Sequence, residues 1–227
     1  MHKSILILAA HPDDEVLGCG GTIAKLAQDG ASIHVAFFAD GVFLRSSEPA
    51  AQQAHLASRR MAAHKACDIL GVKSVSFGEF PDNRMDTIAL LDIIKPIETL
   101  VAQCRPDIVF AHHAGDVNID HRRIHEAVGA ACRPQLGHPV KTLLCFEVPS
   151  STEWQLTGGA PAFVPNWFVD ISDTFDLKLA ALEAYAAELR PWPHPRSKQG
   201  VEYLARWRGA TIGTEAAEAF MLGRQLA

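Results

Sequence analysis

The chain has 227 residues, of which 48% are hydrophobic and 21% are charged, and its formal net charge is -5. This length accommodates one domain with a substantial core and is short for two enzymatic domains. No basic run or aromatic stripe indicates nucleic-acid binding, and no polybasic amphipathic helix indicates a membrane surface. We therefore expect one domain over residues 1–227, with no membrane span and a small-molecule partner.

The first ten residues resemble a short signal peptide in charge and apolarity. They lack a small-residue cleavage site, and their apolar core is too short to cross a bilayer. The five cysteines are scattered and never in CxxC spacing, which favours reduced, packed thiols over a cysteine zinc site. We expect a cytoplasmic protein. A homo-oligomer is compatible with the sequence, since the tryptophans of the late loops suit an interface as well as a pocket.

Periodicity predicts the elements in chain order. Short apolar runs predict strands at Ser4–Ala9, Ser32–Ala39, Lys73–Phe77, Asp107–Ala111, Thr142–Val148 and Trp167–Ile171. Helical spacing predicts helices at Val16–Asp29, Leu56–Leu70, Thr87–Cys104, Arg122–Cys132, Asp176–Leu189 and Lys198–Arg208, with Pro96 kinking or dividing the third. Loops are predicted at Val42–His55, Gly78–Asp86, Ser150–Pro165 and Arg190–Arg196. The recurrence of strand, polar turn and helix predicts a parallel sheet with right-handed crossovers.

Two polar clusters follow predicted strands. AHPDDE (10–15) comes directly after the first strand, and HHAGDVNIDH (112–121) comes directly after the fourth. Open α/β sheets bind ligands at the carboxyl ends of their strands. One imidazole and three carboxylates within five residues repel one another and lose solvation unless a cation lies among them. The sequence therefore predicts a divalent metal.

His11, Asp14 and His121 are the predicted ligands. Two imidazoles and one carboxylate form a common catalytic zinc set, with a fourth position open to water. Such a metal lowers the pKa of its water toward ~7 and polarises a carbonyl. Asp13 is then free to act as general base on that water, and Asp120 to orient a neighbouring ligand. Fe2+ or Co2+ fits the same ligands as Zn2+.

Other interpretations of these motifs remain. His121 and His125 share a helix face, but no glutamate lies between them as in HExxH. His112 and His113 are ambiguous, since one can face the sheet and the other the site. Gly18, Gly20 and Gly21 imitate a phosphate loop without GxxxxGK[ST], which favours packing glycines.

AHPDDE after a first strand and HHAGDVNIDHR after a later one resemble the zinc-dependent de-N-acetylases of the PIG-L/LmbE-like family. RRMAAHKACDILGV, FPDNRMD and RPWPHPRS extend the resemblance. It implies a single-domain, Rossmann-like three-layer α/β sandwich with a mostly parallel sheet. The implied activity is hydrolysis of the acetyl group of an N-acetylglucosamine-like sugar conjugate.

The same resemblance implies roles for individual residues. The family's metal ligands fall on His11, Asp14 and His121, and its general base falls on Asp13. Arg59 would contact substrate oxygens and Asp82 would contact sugar hydroxyls. His194 lies in a loop expected to set specificity, together with the loop Val42–His55.

The chain departs from the family pattern at Asn118, where well-studied members carry a histidine that stabilises the oxyanion. An amide can donate a hydrogen bond to an oxyanion but cannot give up a proton. We therefore predict that Asp13 serves as both base and acid, with His113 as the alternative acid. Competing hypotheses are a hydrolase of another amide or an ester, and a non-catalytic sugar- or nucleotide-binding module with a structural metal.

Overall fold

The structure, a computed structural model, describes residues 3–39 and 49–226, with side chains from residue 53 onward in the second range. The elements in chain order are β1 Ser4–Ala9, α1 Asp14–Gln28, β2 Ser32–Ala39, α2 Pro49–Leu70, β3 Ser74–Phe80, α3 Leu90–Cys104, β4 Ile108–His112, α4 Ile119–Ala131, β5 Thr142–Phe146, β6 Trp167–Asp170, α5 Phe175–Ala184, α6 Lys198–Ile212 and β7 Ala217–Gln225.

These described residues form one seven-stranded sheet in the order β3-β2-β1-β4-β5-β7-β6. The first five strands in that order are parallel, and β7 runs antiparallel to both of its neighbours. β1 lies at the centre, pairing Ile5 with Ile33 of β2 and with Ile108 of β4. The predicted mostly parallel sheet is confirmed.

Helices cover both faces of this sheet. Successive side chains of β1 point to opposite faces. Ile5 and Ile7 join a core formed with α1, α2 and α5, whereas Leu6 and Leu8 join a second core formed with α3 and α4. The molecule is therefore the predicted three-layer α/β sandwich, and no helix among its described residues is long and apolar enough to span a membrane.

Several element boundaries differ from the prediction. The loop predicted over Val42–His55 is wrong from Pro49 onward, where α2 begins; proline suits a first helical position. Residues 42–48 lie outside the described residues. α3 continues through Pro96 and is not divided there.

The strand β7 is missing from the sequence prediction. Its segment AEAFMLGRQ has four consecutive apolar residues at 219–222 with charged or polar residues on both sides, so it shows no regular alternation, and its charged residue Glu218 is only 4% exposed. Glu218 accepts hydrogen bonds from the backbone N–H groups of Gly21 and Thr22 and pairs with Lys178. These bonds fall just beyond Cys19, where the backbone of α1 leaves helical geometry.

Gly18 and Gly21 of α1 are packing glycines, as predicted. A Cβ atom at Gly18 would lie 2.4 Å from Phe146 Cδ2, and one at Gly21 would lie 2.6 Å from Ile171 Cδ1. Both positions therefore let α1 approach its neighbours closely.

Candidate metal centre

The turn between β1 and α1 forms one wall of the site. Asp13 has a φ of 113°, a strained conformation for a residue other than glycine. Strain of this kind is tolerated where surrounding contacts enforce it, and it concentrates at functional sites. Here the backbone N–H of His11 donates to Asp14 Oδ2 over 2.8 Å, and that of Asp13 donates to Glu15 Oε2 over 3.0 Å.

The turn between β4 and α4 forms the opposite wall, because β4 pairs directly with β1. Asn118 caps α4, its Oδ1 accepting from the Asp120 N–H over 2.8 Å. Asp120 and His121 therefore lie in the first helical turn, and both are buried.

The structure brings His11, Asp14 and His121 together, with one ligand atom from each within 4.8 Å of the others. Asp14 Oδ2 lies 3.4 Å from His11 Nδ1 and 3.3 Å from His121 Nε2. Two ligands of a tetrahedral zinc ion, each ~2.0–2.1 Å from it, would be separated by about 3.3 Å. Both distances from Asp14 match this value, and the three donors lie close enough together to hold one divalent ion.

Carboxylates on the far ring nitrogens support this fit. His11 Nε2 lies 2.9 Å from Asp120 Oδ2, and His121 Nδ1 lies 3.1 Å from Asp116 Oδ2. A hydrogen-bonded carboxylate such as Asp120 fixes the tautomer of His11 that leaves Nδ1 free to bind a metal. Both ring nitrogens of His121 are buried without a hydrogen bond of normal geometry to any described residue, and Nε2 is the one that faces Asp14 Oδ2.

A second donor set, His11, Asp82 and Asp120, lies on the other side of the His11 ring. Asp82 Oδ1 is 3.1 Å from His11 Nε2. Asp120, however, already accepts from the backbone N–H groups of Asn83 and Met85 over 2.7 Å and 3.0 Å. Both oxygens of Asp120 are thus engaged by backbone N–H groups, whereas Asp14 accepts a backbone N–H of a described residue through Oδ2 alone, so we favour the set that contains Asp14 and His121.

Without a bound ion, the surrounding carboxylates favour the protonated forms of the two ligand histidines. Burial lowers the pKa of His121, but Asp14 and Asp116 outweigh burial and raise it to about 9. Burial likewise opposes protonation of His11, yet hydrogen bonds to Asp120, Asp14 and Asp82 hold its pKa well above 6.5. Burial disfavours the charged form of Asp14, but His121 and His11 keep its pKa well below the usual range.

Asp13 lies beside this cluster with an environment of its own. Burial raises the pKa of its carboxyl to about 6, against the opposing charge of Arg196. Arg196 Nη1 lies 3.2 Å from Asp13 Oδ2. Arg196 is not among the predicted site residues, although the segment RPWPHPRS contains it; the charge within that proline-rich turn was the available signal.

A polar cavity of about 110 Å³ joins these groups. It is lined by His11, Asp13, Asp14, Arg59, Asp82, Asn83, Asn118, His121 and Arg196. Arg59 donates through Nη2 to the Pro12 carbonyl oxygen over 2.8 Å and pairs with Glu188 at 3.3 Å. Asn118 donates through Nδ2 to Asn83 Oδ1 over 3.1 Å.

The remaining histidines lie outside this cavity lining. His112 is buried beneath the site, accepting from the Ala10 N–H over 2.8 Å and stacking on His121 with ring centroids 3.8 Å apart.

His113 Nε2 lies 2.9 Å from the Pro161 carbonyl oxygen, and the ring of His194 packs edge-on against Trp154. His125 Nδ1 bonds the carbonyl oxygen of His112, away from the donor set. The structure thus does not bring His113 or His194 to the predicted base.

The chain is similar in sequence and in fold to several known proteins. Diacetylchitobiose deacetylase of Thermococcus kodakarensis is 30% identical over 200 residues, covering 82% of this chain and 70% of the relative. 4-Oxalmesaconate hydratase of Pseudomonas putida is 28% identical over 210 residues, covering 85% and 76%. The solved structure of N,N'-diacetylchitobiose deacetylase from Pyrococcus horikoshii matches with a TM-score of 0.77 over 98% of this chain and 84% of that chain, at 24% identity, which supports the fold alone.

Residues 6–132 match the family described as PIG-L: GlcNAc-PI de-N-acetylase. That segment runs from β1 to the end of α4 and includes both walls of the site. On this match, and on the identity and coverage of the Thermococcus relative, the chain belongs to the PIG-L family.

Proposed function

We propose that this protein is a metal-dependent hydrolase that removes the acetyl group from an N-acetylated amino sugar conjugate. The observation that carries the proposal is the buried set His11, Asp14 and His121, with the Asp13 carboxylate beside it in one polar cavity. Family membership and a relative named as a diacetylchitobiose deacetylase support the choice of reaction.

His11 Nδ1, Asp14 Oδ2 and His121 Nε2 would hold the ion. When bound, a divalent ion such as Zn2+ polarises a carbonyl and lowers the pKa of water. The same donors can bind Fe2+, so the native metal has to be identified by measurement.

Asp13 supplies the proton transfers. Its carboxylate accepts a proton from the water that attacks the acetamide carbonyl carbon, forming the new C–O bond. As the C–N bond breaks, Asp13 returns that proton to the departing nitrogen. The products are acetate and the free amine, and one water is consumed.

Asn118 is the proposed oxyanion donor. Its Oδ1 is occupied by the Asp120 N–H, so its NH2 end is the end available to the cavity. One of the two N–H bonds serves Asn83 Oδ1, which leaves the other for a carbonyl oxygen that gains negative charge.

Arg59 and Asp82 are the proposed substrate contacts, since both line the cavity. Roles for His113, as alternative acid, and for His194 stay predictions, and either role would require a change in the loops that contain them.

We also propose that the enzyme acts in the cytoplasm, in keeping with five free cysteine thiols.

The proposal is tested by acetate release from a panel of N-acetylated sugars, comparing the parent with Asp13→Asn. We expect the variant to keep its metal and fold while kcat falls by about 1000-fold, since it lacks the base. Asp92→Asn, an exposed aspartate on α3, is the matched control and should retain parental activity. An Asp13→Asn variant as active as the parent would contradict the proposal.

The same panel separates the competing hypotheses. Release of another acid or an alcohol would indicate a different amide or ester hydrolase. Because a relative is named as a 4-oxalmesaconate hydratase, 4-oxalmesaconate belongs in the panel. A metal-loaded protein that turns over none of these compounds would support a binding module.

A further inference from the structure

The turn between α5 and α6 carries Arg196 to the site from a distant part of the chain. Within this turn, the Arg196 N–H donates to His194 Nδ1 over 3.1 Å, and the Ser197 N–H donates to the His194 carbonyl oxygen over 2.9 Å. Ser197 then caps α6 by accepting from the Gly200 N–H. The backbone on both sides of Arg196 is therefore fixed.

The guanidinium of Arg196 is held at two points. Nη1 donates to Asp13 Oδ2 over 3.2 Å, and Nε donates to Ser150 Oγ over 3.0 Å. The two donors are in the same plane, so these bonds together define the orientation of the group. Arg196 makes the only ion pair of Asp13 within the described residues.

This contact commits Oδ2 of the carboxylate, whereas Oδ1 accepts no hydrogen bond from the residues that the structure describes. The Asp13 backbone cannot adjust freely, because its φ of 113° is already outside the range that most residues adopt. The direction in which the uncommitted Oδ1 points is therefore set by the side-chain contact.

We propose that Arg196 is a positioning residue for the general base: it holds Asp13 Oδ2 so that Oδ1 faces the cavity and accepts the proton of the attacking water. The inference rests on the proposed function for the role of Asp13. A general base misplaced by about 1 Å loses on the order of 100-fold in rate, so such a contact has a measurable effect.

The kinetic test compares Arg196→Met and Arg196→Lys with the parent. We expect Arg196→Met to lower kcat by about 100-fold with KM changed by less than about 3-fold, because the contact acts on the base and not on substrate binding. Arg196→Lys keeps the charge but not the two-point geometry, and it should recover only part of the loss. The metal content of both variants should equal that of the parent.

Arg190→Met is the matched control on the same turn. Its guanidinium donates only to the carbonyl oxygens of Ala187 and Leu189 among the described residues, so kcat should be unchanged. In Arg196→Ala, added guanidinium ion should restore part of kcat, whereas an equal concentration of sodium should not. A kcat for Arg196→Met within about 3-fold of the parent would overturn the inference.

A crystal structure of Arg196→Met provides a readout that does not depend on activity. We expect the Asp13 carboxylate to rotate away from its parental orientation, with the backbone of residues 10–15 unchanged. An unrotated carboxylate would overturn the inference even if kcat falls. If the parent releases no acetate from any substrate, the proposed function fails, and this structural comparison still tests the contact.

Discussion

At the scale of single residues, Asn118 has two roles, helix capping and hydrogen-bond donation, that can be separated by mutation. Its Oδ1 caps α4 and its NH2 group faces Asn83 and the cavity. Asn118→Ser keeps a good cap but loses the amide donor, whereas Asn118→Ala loses both. We expect both variants to lose about 10- to 100-fold in kcat.

Thermal unfolding distinguishes the two variants. Only Asn118→Ala should lose the cap, about 1 kcal/mol, which corresponds to a fall of roughly 2–4 °C in Tm. Parental kcat in Asn118→Ser would show that the amide does not contact the oxyanion.

The chemistry of individual residues could be predicted best where it is local. His11, Asp13 and Asp14 form one dense motif at a strand end, so their meeting in the site required no long-range information. His121 required only that two parallel strands be neighbours, as β1 and β4 are. Arg196 could not be found in this way, because it contacts Asp13 across 183 positions and follows no strand.

At the scale of elements, β7 is held to α5 by a buried ion pair and to α1 by hydrogen bonds to the same carboxylate. Lys178 and Glu218 have side chains that are 3% and 4% exposed, and Glu218 also accepts from Gly21 and Thr22. We expect Lys178→Met to lower the free energy of unfolding by about 3–5 kcal/mol, because it leaves an uncompensated carboxylate in the core. Chemical denaturation measures this loss.

The control for that prediction is Lys198→Met, which removes an exposed pair with Glu183. Exposed pairs contribute little, so its unfolding midpoint should equal that of the parent. If Lys178→Met is as stable as the parent, the pair does not stabilise β7 against α5.

Elements with a regular pattern of apolar residues could be predicted from the sequence, and elements in which that pattern is irregular could not. β1 and β2 match their predicted bounds because both are mostly apolar runs with largely buried side chains. The strand β7 was missed because its pattern is irregular and tertiary contacts bury its Glu218, and the first part of α2 was missed because helix propensity overrides a polar composition. The antiparallel edge of the sheet therefore could not be derived.

At the scale of the whole molecule, metal binding should be coupled to proton release. The pKa of His121 is raised to about 9 and that of His11 lies well above its usual value, so both are protonated at pH 7 in the metal-free protein. A metal ligand must be a neutral imidazole, so binding at pH 7 should release about two protons. Titration calorimetry in buffers of different ionisation enthalpy counts them.

The sign of the pH dependence follows from the same shift. Metal affinity should rise steeply with pH between 7 and 8, by up to about 100-fold per unit for two protons, and level off near the raised pKa values. Two histidines with ordinary pKa values near ~6.5 would give an almost constant affinity over that interval. A flat profile would therefore contradict the protonated cluster.

The most direct test of the central claim is the metal content of the purified protein by inductively coupled plasma mass spectrometry. We predict about one divalent ion per chain in the parent and in His125→Ala, whose imidazole lies outside the donor set, and none in Asp14→Ala or His121→Ala. A parent without metal, or a His121→Ala variant that retains a full equivalent, would contradict the account.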